Sequence, residues 1–469
     1  MTLDRRQFLT SAATLALGLA LPWARARAAS KPLVIGALYV GSHADNGYNQ
    51  THAQAVAKLK TLPGVKVVEQ ENVPETVAVQ QAMEAMIVKE DATLILATSF
   101  GYFPHVLKLA SNYPEVRFAH CGGLWFADCD PPNVGSYFGH IDQCQYLNGI
   151  AAGHATRSGK LGFVAAKPIP QVLRNINAFT LGARSVNPDL STQVIFTGGW
   201  SLPVREIEAV NALADQGIDV MTYHVDSPRV LVETAANRGL YICGYHADQS
   251  ALAPTLYLTG AEWNWEGLYR SFVAAAQSGA PLANMTRGGL RDGIVRMSAY
   301  TAATPAAAIA QIDQAKTAMM AGGFDIFTGP LENNAGETVI AAGIAQTGLE
   351  LEHMDYLVEG VLGAIAAGVA GVSGNGDGHQ SPQEAHSSRR GKHSRPVPRG
   401  EESQQQSVVG GRRSRQLERS GASATDHRQQ AALDPRNQSR SRRSRRTRSP
   451  QSDRTPDPGR ESCVREIDA

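Results

Sequence analysis

The feature that most limits what this chain can fold into is an alternation of short apolar runs with amphipathic stretches, and it starts between Leu33 and Lys60. LVIGALYV is bounded by Lys31-Pro32 and Gly41-Ser42, the pattern of a strand buried on both faces. The polar loop GSHADNGYNQ follows, and Ala53, Val56, Ala57 and Leu59 then recur at helical spacing. In a parallel sheet such a loop lies at the carboxyl edge, where ligands bind, and the next helix points unpaired N–H groups into the same crevice. Asp45, Asn46, Tyr48 and Asn49 are therefore candidates for holding a flat polar molecule. The competing reading is that Asp45 or Asn46 caps the helix while Tyr48 packs on its own half of the molecule.

The alternation continues. VKVVEQ (65–70) reads as a strand, Pro74-Glu75 opens a helix, TLILATSF is the third strand, and VRFAHC (116–121) and NVGSYFGHI supply two more. A second series of the same design runs through LGFVAA (161–166), TQVIFTGGW (192–200), VMTYHVD (220–226) and YICGYHAD (241–248), each followed by a helical stretch. Connections of two to six residues favour right-handed βαβ units. The fold class expected is α/β, two Rossmann-like lobes with parallel sheets joined by a hinge. Residues 31–143 and 262–290 form one lobe, 144–261 and 291–365 the other. Later segments read as a strand-like stretch at 288–300, a helix capped at Thr304-Pro305 and stopped by Gly322-Gly323, a hairpin around Asn333-Asn334, and a short helical piece ending at MDYLVEGVLGAI.

At 469 residues the chain is long enough for about two or three units. Its ends differ from its body. Arg5-Arg6 before Phe8-Leu9, a short apolar stretch to Leu21 and Ala26-Arg27-Ala28 form an export signal of twin-arginine type over residues 1–29, with an ordinary secretory signal as the alternative. No cysteine precedes Cys121, so a lipid anchor on a mature N-terminal cysteine is not expected, and the destination is the periplasm. Residues 371–469 hold 20 Lys and Arg against 12 Asp and Glu, no aromatic residue and one Ile, which predicts a disordered Arg-rich tail, read either as an anionic-surface arm or as a frameshifted or read-through end. The body is acidic, and nothing in it asks for a nucleic-acid partner.

Cys121 and Cys129 could bridge across GGLWFAD; unpaired buried thiols are the reading preferred for the cysteines. The spacing of His120 and His140 with them matches no zinc pattern, and neither metal nor cofactor is expected. The chemistry gathers at strand ends. Tyr48, Phe100, Tyr102, Trp200 and Trp265 are rings suited to stacking on a flat heteroaromatic ligand, with Gly101 and Ser227 in the same loops. Asp45, Asn49, Asp226, Asp248 and Asp292 would supply hydrogen bonds to it.

These residues carry a resemblance. DNGYNQTH (45–52), ATSFGYF (97–103), YPEVRFAH (113–120), GSYFGHIDQCQYLNGIAAG (135–153), DVMTYHVDSP (219–228), GYHADQSALAP (244–254), WNWEGLY (263–269) and FDIFTGP (324–330) resemble the BMP family of ABC-transporter substrate-binding proteins, which includes purine-nucleoside receptors of the type I periplasmic-binding fold. The resemblance implies a non-enzymatic, monomeric receptor that closes on a purine base or nucleoside and hands it to a membrane permease. Tyr48 matches the first-loop aromatic, usually Trp or Phe in relatives, with Trp200 facing it from the second lobe, while Asp45, Asn49, Asp226 and Asp248 match polar loop positions. Two other readings stand beside it: a receptor for a sugar or other polar ligand, and a hydrolase using cleft carboxylates with His224 or His246 as base. Against the hydrolase, the body holds no Gly-x-Ser-x-Gly, HExxH or Walker motif.

Overall fold

The computed structural model describes residues 31–365; the expected export signal at 1–29 and the expected tail at 371–469 lie outside the described residues. The chain first lays down β1 (Leu33–Leu38), α1 (Tyr48–Leu59), β2 (Val65–Gln70), α2 (Val77–Glu90), β3 (Leu94–Ala97), α3 (Phe103–Asn112), β4 (Arg117–Cys121) and β5 (Val134–Gly139). Helix α4 (Asp142–Ala155) leads to β6 (Lys160–Ala165), α5 (Pro170–Arg184), β7 (Ser191–Phe196), α6 (Pro203–Asp215), β8 (Val220–His224), α7 (Arg229–Asn237), β9 (Tyr241–His246) and β10 (Tyr257–Trp263). Then come α8 (Glu266–Ser278), β11 (Met285–Gly288), β12 (Val295–Met297), α9 (Ala306–Ala321), β13 (Leu331–Glu332), β14 (Thr338–Ile340), α10 (Leu349–Glu352) and β15 (Val361–Leu362).

Two large sheets result among the described residues, beside the two-stranded β13–β14 hairpin, and their central strands share one order. The first runs β11-β5-β4-β3-β1-β2 and is parallel throughout. The second runs β12-β10-β9-β8-β6-β7-β15, parallel except for β12. In each half the order 2-1-3-4-5 reverses beside its first strand, and doubly wound sheets bind ligands at the carboxyl ends next to such a switch. Helices cover both faces, which is why β1 is apolar without alternation. Ile35, Ala37, Leu94 and Leu96 face one core; Val34, Leu38, Ile95 and Ala97 face another with Met83 and Met86 of α2.

The chain passes between the sheets three times among the described residues: from β5 into α4, from β10 into α8, and from β11 into β12. Helix α8 belongs with the first sheet. Its Tyr269 hydroxyl meets His52 Nδ1 of α1 at 2.6 Å and the Tyr137 hydroxyl of β5 at 2.8 Å.

Several local expectations change. Pro305 rather than Thr304 occupies the N-cap of α9, and the Thr304 hydroxyl is drawn to the Leu258 carbonyl at 2.6 Å. The stretch 288–300 keeps only Gly288, the end of β11, and Val295–Met297 as strand, because Leu290 to Gly293 make a turn. Near the end of the described chain, Val361–Leu362 is an edge strand pairing with Thr192 and Gln193 instead of part of a helix. The β13–β14 hairpin does form. Cys121, Cys144 and Cys243 are free buried thiols, so Cys121 makes no bridge to Cys129.

Candidate functional site

The carboxyl ends of both sheets meet around one cavity. Tyr48, Ser99, Phe100, Cys121 and Phe138 come from the first half, Ile169, Gln171, Trp200, His224, Asp226, His246 and Trp263 from the second.

The first loop is built for rigidity. Asp45 Oδ1 accepts the N–H groups of Gly47 at 2.8 Å and Gln50 at 3.0 Å, and Oδ2 accepts the Asn49 N–H at 3.0 Å and Asn49 Nδ2 at 2.8 Å. The carboxylate thus caps α1 from inside, and burial still raises its pKa against those hydrogen bonds. Asn49 Oδ1 in turn accepts the Gly41 N–H at 3.3 Å. Tyr48 comes next, its hydroxyl donating to the Thr98 carbonyl at 2.6 Å and lying 3.3 Å from Cys121 Sγ. That anchorage turns the ring to the cavity, edge-on to His246 at 5.1 Å between centroids.

The two halves are in contact across the cleft. The Tyr48 N–H donates to the Asp226 carbonyl at 3.0 Å, Arg229 Nε to Asn46 Oδ1 at 3.0 Å, and Gln249 Nε2 to the Asn46 carbonyl at 2.7 Å. Gly47 sits so close that an alanine Cβ there would lie 2.1 Å from the Asp226 carbonyl oxygen. At the mouth, Trp200 Nε1 donates to both Glu75 oxygens at 3.2 and 3.1 Å, and Lys167 Nζ stands 3.3 Å from Glu75 Oε2 and 4.8 Å from the Trp200 ring centroid. Burial alone would raise Glu75; the Ser99 hydroxyl, Lys167, the Gly101 N–H and Trp200 outweigh it and hold the carboxyl below its usual range.

Inside, the polar groups are few. The Asp226 carboxylate is buried and accepts no hydrogen bond among the described residues; His246 Nε2 stands 4.0 Å from its Oδ1. Burial, with the charges of Asp45 and Glu75 behind it, pushes the Asp226 pKa well up. His246 Nδ1 accepts from Trp263 Nε1 at 2.8 Å, leaving Nε2 buried without a partner among the described residues. Its backbone is left-handed at φ 73°, a conformation that costs a non-glycine residue energy and that clusters at working sites. His224 Nδ1 accepts from Asn175 Nδ2 at 2.9 Å. Burial lowers His224 to about 3, and burial, reinforced by His224 and His52 against the Val225 carbonyl, takes His246 well down. Both rings are neutral and weakly basic, which makes them poor general bases near pH 7.

Of the residues singled out in the sequence, Tyr48, Phe100, Trp200 and Asp226 line the cavity together. Asp45 and Asn49 shape the loop behind Tyr48, and Gly101 lends its N–H to Glu75 at 2.8 Å. Ser227 stands in the turn before α7, outside the wall. The structure does not bring the others to the cavity. Tyr102 is core, its hydroxyl on the Val73 carbonyl at 2.5 Å. Trp265 is stacked between His52 and Trp263 at centroid distances of 5.0 and 4.6 Å. Asp248 is exposed and caps Ser250 N at 2.7 Å, and Asp292 caps Gly289 N at 2.8 Å. Phe138, Gln171, His246 and Trp263 are additional lining residues; a polar or aromatic residue within one position of a strand's carboxyl end was the available signal for three of them.

With this geometry in place, the comparisons with known proteins are decisive for the family. The profile described as ABC transporter substrate-binding protein, PnrA-like, matches residues 33–320. The chain belongs to this family. A purine-binding protein of Brucella abortus is 31% identical over 335 residues, 71% of this chain and 94% of that protein. A Haloferax volcanii protein named for glucose binding is 36% identical over 204 residues, 44% of this chain and 51% of its own length, so the match spans about half of that relative. An ABC transporter solute-binding protein of Aeropyrum pernix superposes with a TM-score of 0.55 at 20% identity, covering 62% of this chain and 92% of that one. A solute-binding protein of Conexibacter woesei gives 0.52 at 22%, covering 62% and 97%. As a PnrA-like substrate-binding protein the chain takes a small-molecule ligand and works with a membrane transporter. No helix among the described residues is long and apolar enough to cross a membrane.

Proposed function

We propose that this chain is the exported, periplasmic receptor of an ABC importer and that it holds a purine base or nucleoside in the cavity between its lobes. The observation that carries the reading is the Asp226 carboxyl group, buried with no hydrogen-bond donor among the described residues in a cavity walled by Tyr48, Phe100, Phe138, Trp200 and Trp263. A buried acceptor without a partner costs free energy, on the order of 1–3 kcal/mol and more when charged. A ligand that brings an N–H to it and flat faces to the rings relieves that cost and adds stacking. The Brucella abortus relative, covered over nearly its whole length, is named for purine binding.

A second reading has one observation in its favour. The Haloferax volcanii relative is named for glucose, and sugar hydroxyls could also reach Asp226 while the pyranose stacks on Trp200. The two separate in one experiment: native mass spectrometry of the chain purified without denaturation, then calorimetric titration with adenine, hypoxanthine, adenosine and glucose. Micromolar or tighter binding of a purine with none of glucose is expected; glucose binding without purine binding overturns the proposal.

A further inference from the structure

The cavity presents two polar groups side by side that have no hydrogen-bond partner among the described residues, and their hydrogen-bonding senses are complementary to one ligand edge. Asp226 offers acceptor oxygens, both when it is ionised and the carbonyl oxygen when its raised pKa leaves it neutral. His246 Nδ1 is occupied as an acceptor by the Trp263 indole N–H at 2.8 Å, so the neutral ring must carry its proton on Nε2, which donates. Among the described residues Nε2 has no hydrogen-bond partner; it lies 4.0 Å from Asp226 Oδ1, too distant for the two groups to satisfy each other. Trp263 is itself held, stacked on Trp265 at 4.6 Å and 17°, so the indole cannot swing away from the imidazole.

We propose that Asp226 and His246 read one edge of the ligand, accepting from an N–H or amino group and donating to the ring nitrogen or carbonyl oxygen beside it, with Trp263 as the positioning residue that sets the imidazole tautomer. This rests on the purine reading above and narrows it. The ligand class is a heteroaromatic lactam or amidine whose donor and acceptor adjoin on one edge, as in hypoxanthine or adenine. A sugar hydroxyl donates and accepts by rotating about its C–O bond, so a site for hydroxyls has no need of a fixed tautomer. A fixed tautomer discriminates only against a rigid ligand whose pattern is reversed or incomplete. The left-handed backbone of His246 serves this arrangement, since it aims the ring between Trp263 and Asp226 at the cost of local strain.

The test titrates the full chain, by calorimetry, with hypoxanthine, adenine, indole and glucose. Indole keeps a flat face and an N–H but lacks the adjoining acceptor. Wild type is expected to bind one of the bases at least 30-fold more tightly than indole. Trp263→Phe keeps a ring in the stack and removes the N–H. In that variant the His246 nitrogen resonances should change from one Nε2–H tautomer to a mixture, with base affinity falling about ten-fold and indole affinity unchanged. His246→Asn, which tolerates the left-handed backbone, should lose about ten-fold or more for the base alone. A base-to-indole ratio within two-fold of wild type in both variants overturns the edge-reading assignment and leaves the purine reading standing. Wild type that binds glucose and neither base overturns both.

Discussion

Replacing Gly47 by alanine separates ligand binding from folding. The added Cβ would lie 2.1 Å from the Asp226 carbonyl oxygen and 2.6 Å from Pro228 Cδ, and both belong to the opposite lobe. Ordinary contact begins at 3.4 Å, so the lobes must retreat by about 1.3 Å, the difference between those distances. Such a retreat takes the Tyr48 N–H and the Asp226 carbonyl from 3.0 Å to beyond hydrogen-bonding reach. Overpacking against backbone costs about 1–3 kcal/mol and the lost hydrogen bond about 1 kcal/mol. The closed state should therefore be weakened by about 2–4 kcal/mol, equivalent to a 30- to nearly 1,000-fold rise in Kd. With the lobes apart the methyl group meets nothing from across the cleft, so the ligand-free melting temperature should stay within about 2 °C of wild type. Calorimetry gives the affinity, and small-angle scattering with saturating ligand should show the variant remaining extended. Unchanged affinity would mean that the observed contact is not required for binding and would refute the closure argument.

Glu75→Gln removes the charge that Lys167 and the Trp200 indole share at the cleft mouth; a three- to ten-fold rise in Kd, mainly through faster dissociation in stopped-flow measurements, is expected, and an unaltered off-rate would count against a role in retention. Tyr48→Phe deletes only the hydroxyl that donates to the Thr98 carbonyl. It should cost about 1 kcal/mol of stability in urea unfolding while changing ligand affinity less than three-fold, whereas Tyr48→Ala should cost more than ten-fold in affinity; equal effects of the two would contradict the assignment of the ring. For pH, His52, His120 and His224 are held by burial at about 3, so the unfolded chain takes up protons that the fold refuses. Stability should fall as pH drops through 6.5, by about 2 kcal/mol per imidazole at pH 5, and level off only near pH 3. Asp226 acts in the opposite sense, because its raised pKa favours the neutral form as pH falls, and three imidazoles outweigh it. A melting temperature equal at pH 5 and pH 7 would contradict this balance.

The double series of strands and helices was legible because buried parallel strands are uniformly apolar and their helices are not, a contrast that survives without tertiary information. The polar loop after β1 was legible for the same reason. What could not be read was which way a side chain at a strand end turns. Tyr102 and Phe100 are two residues apart, yet one is buried with its hydroxyl on the Val73 carbonyl while the other borders the cavity. Asp226 and Asp248 follow consecutive strands of similar pattern. Asp226 is enclosed by the opposite lobe, whereas Asp248 caps a turn in solvent. His246 looked like a structural histidine because neither the Trp263 contact nor the left-handed backbone leaves a trace in residue type. Glu75 read as the opening of a helix, and Thr76 took that task, freeing the carboxylate to reach Trp200 across the cleft.

The threefold passage of the backbone between the sheets has a mechanical consequence. Strands of polypeptide at 140–141, 264–265 and 289–294 act as parallel straps, so a protease nick in any one leaves the halves tethered by the other two. Such straps resist twist more than bending, restricting the halves to a swing about one line, along which the jaws return to the same bite each time they shut.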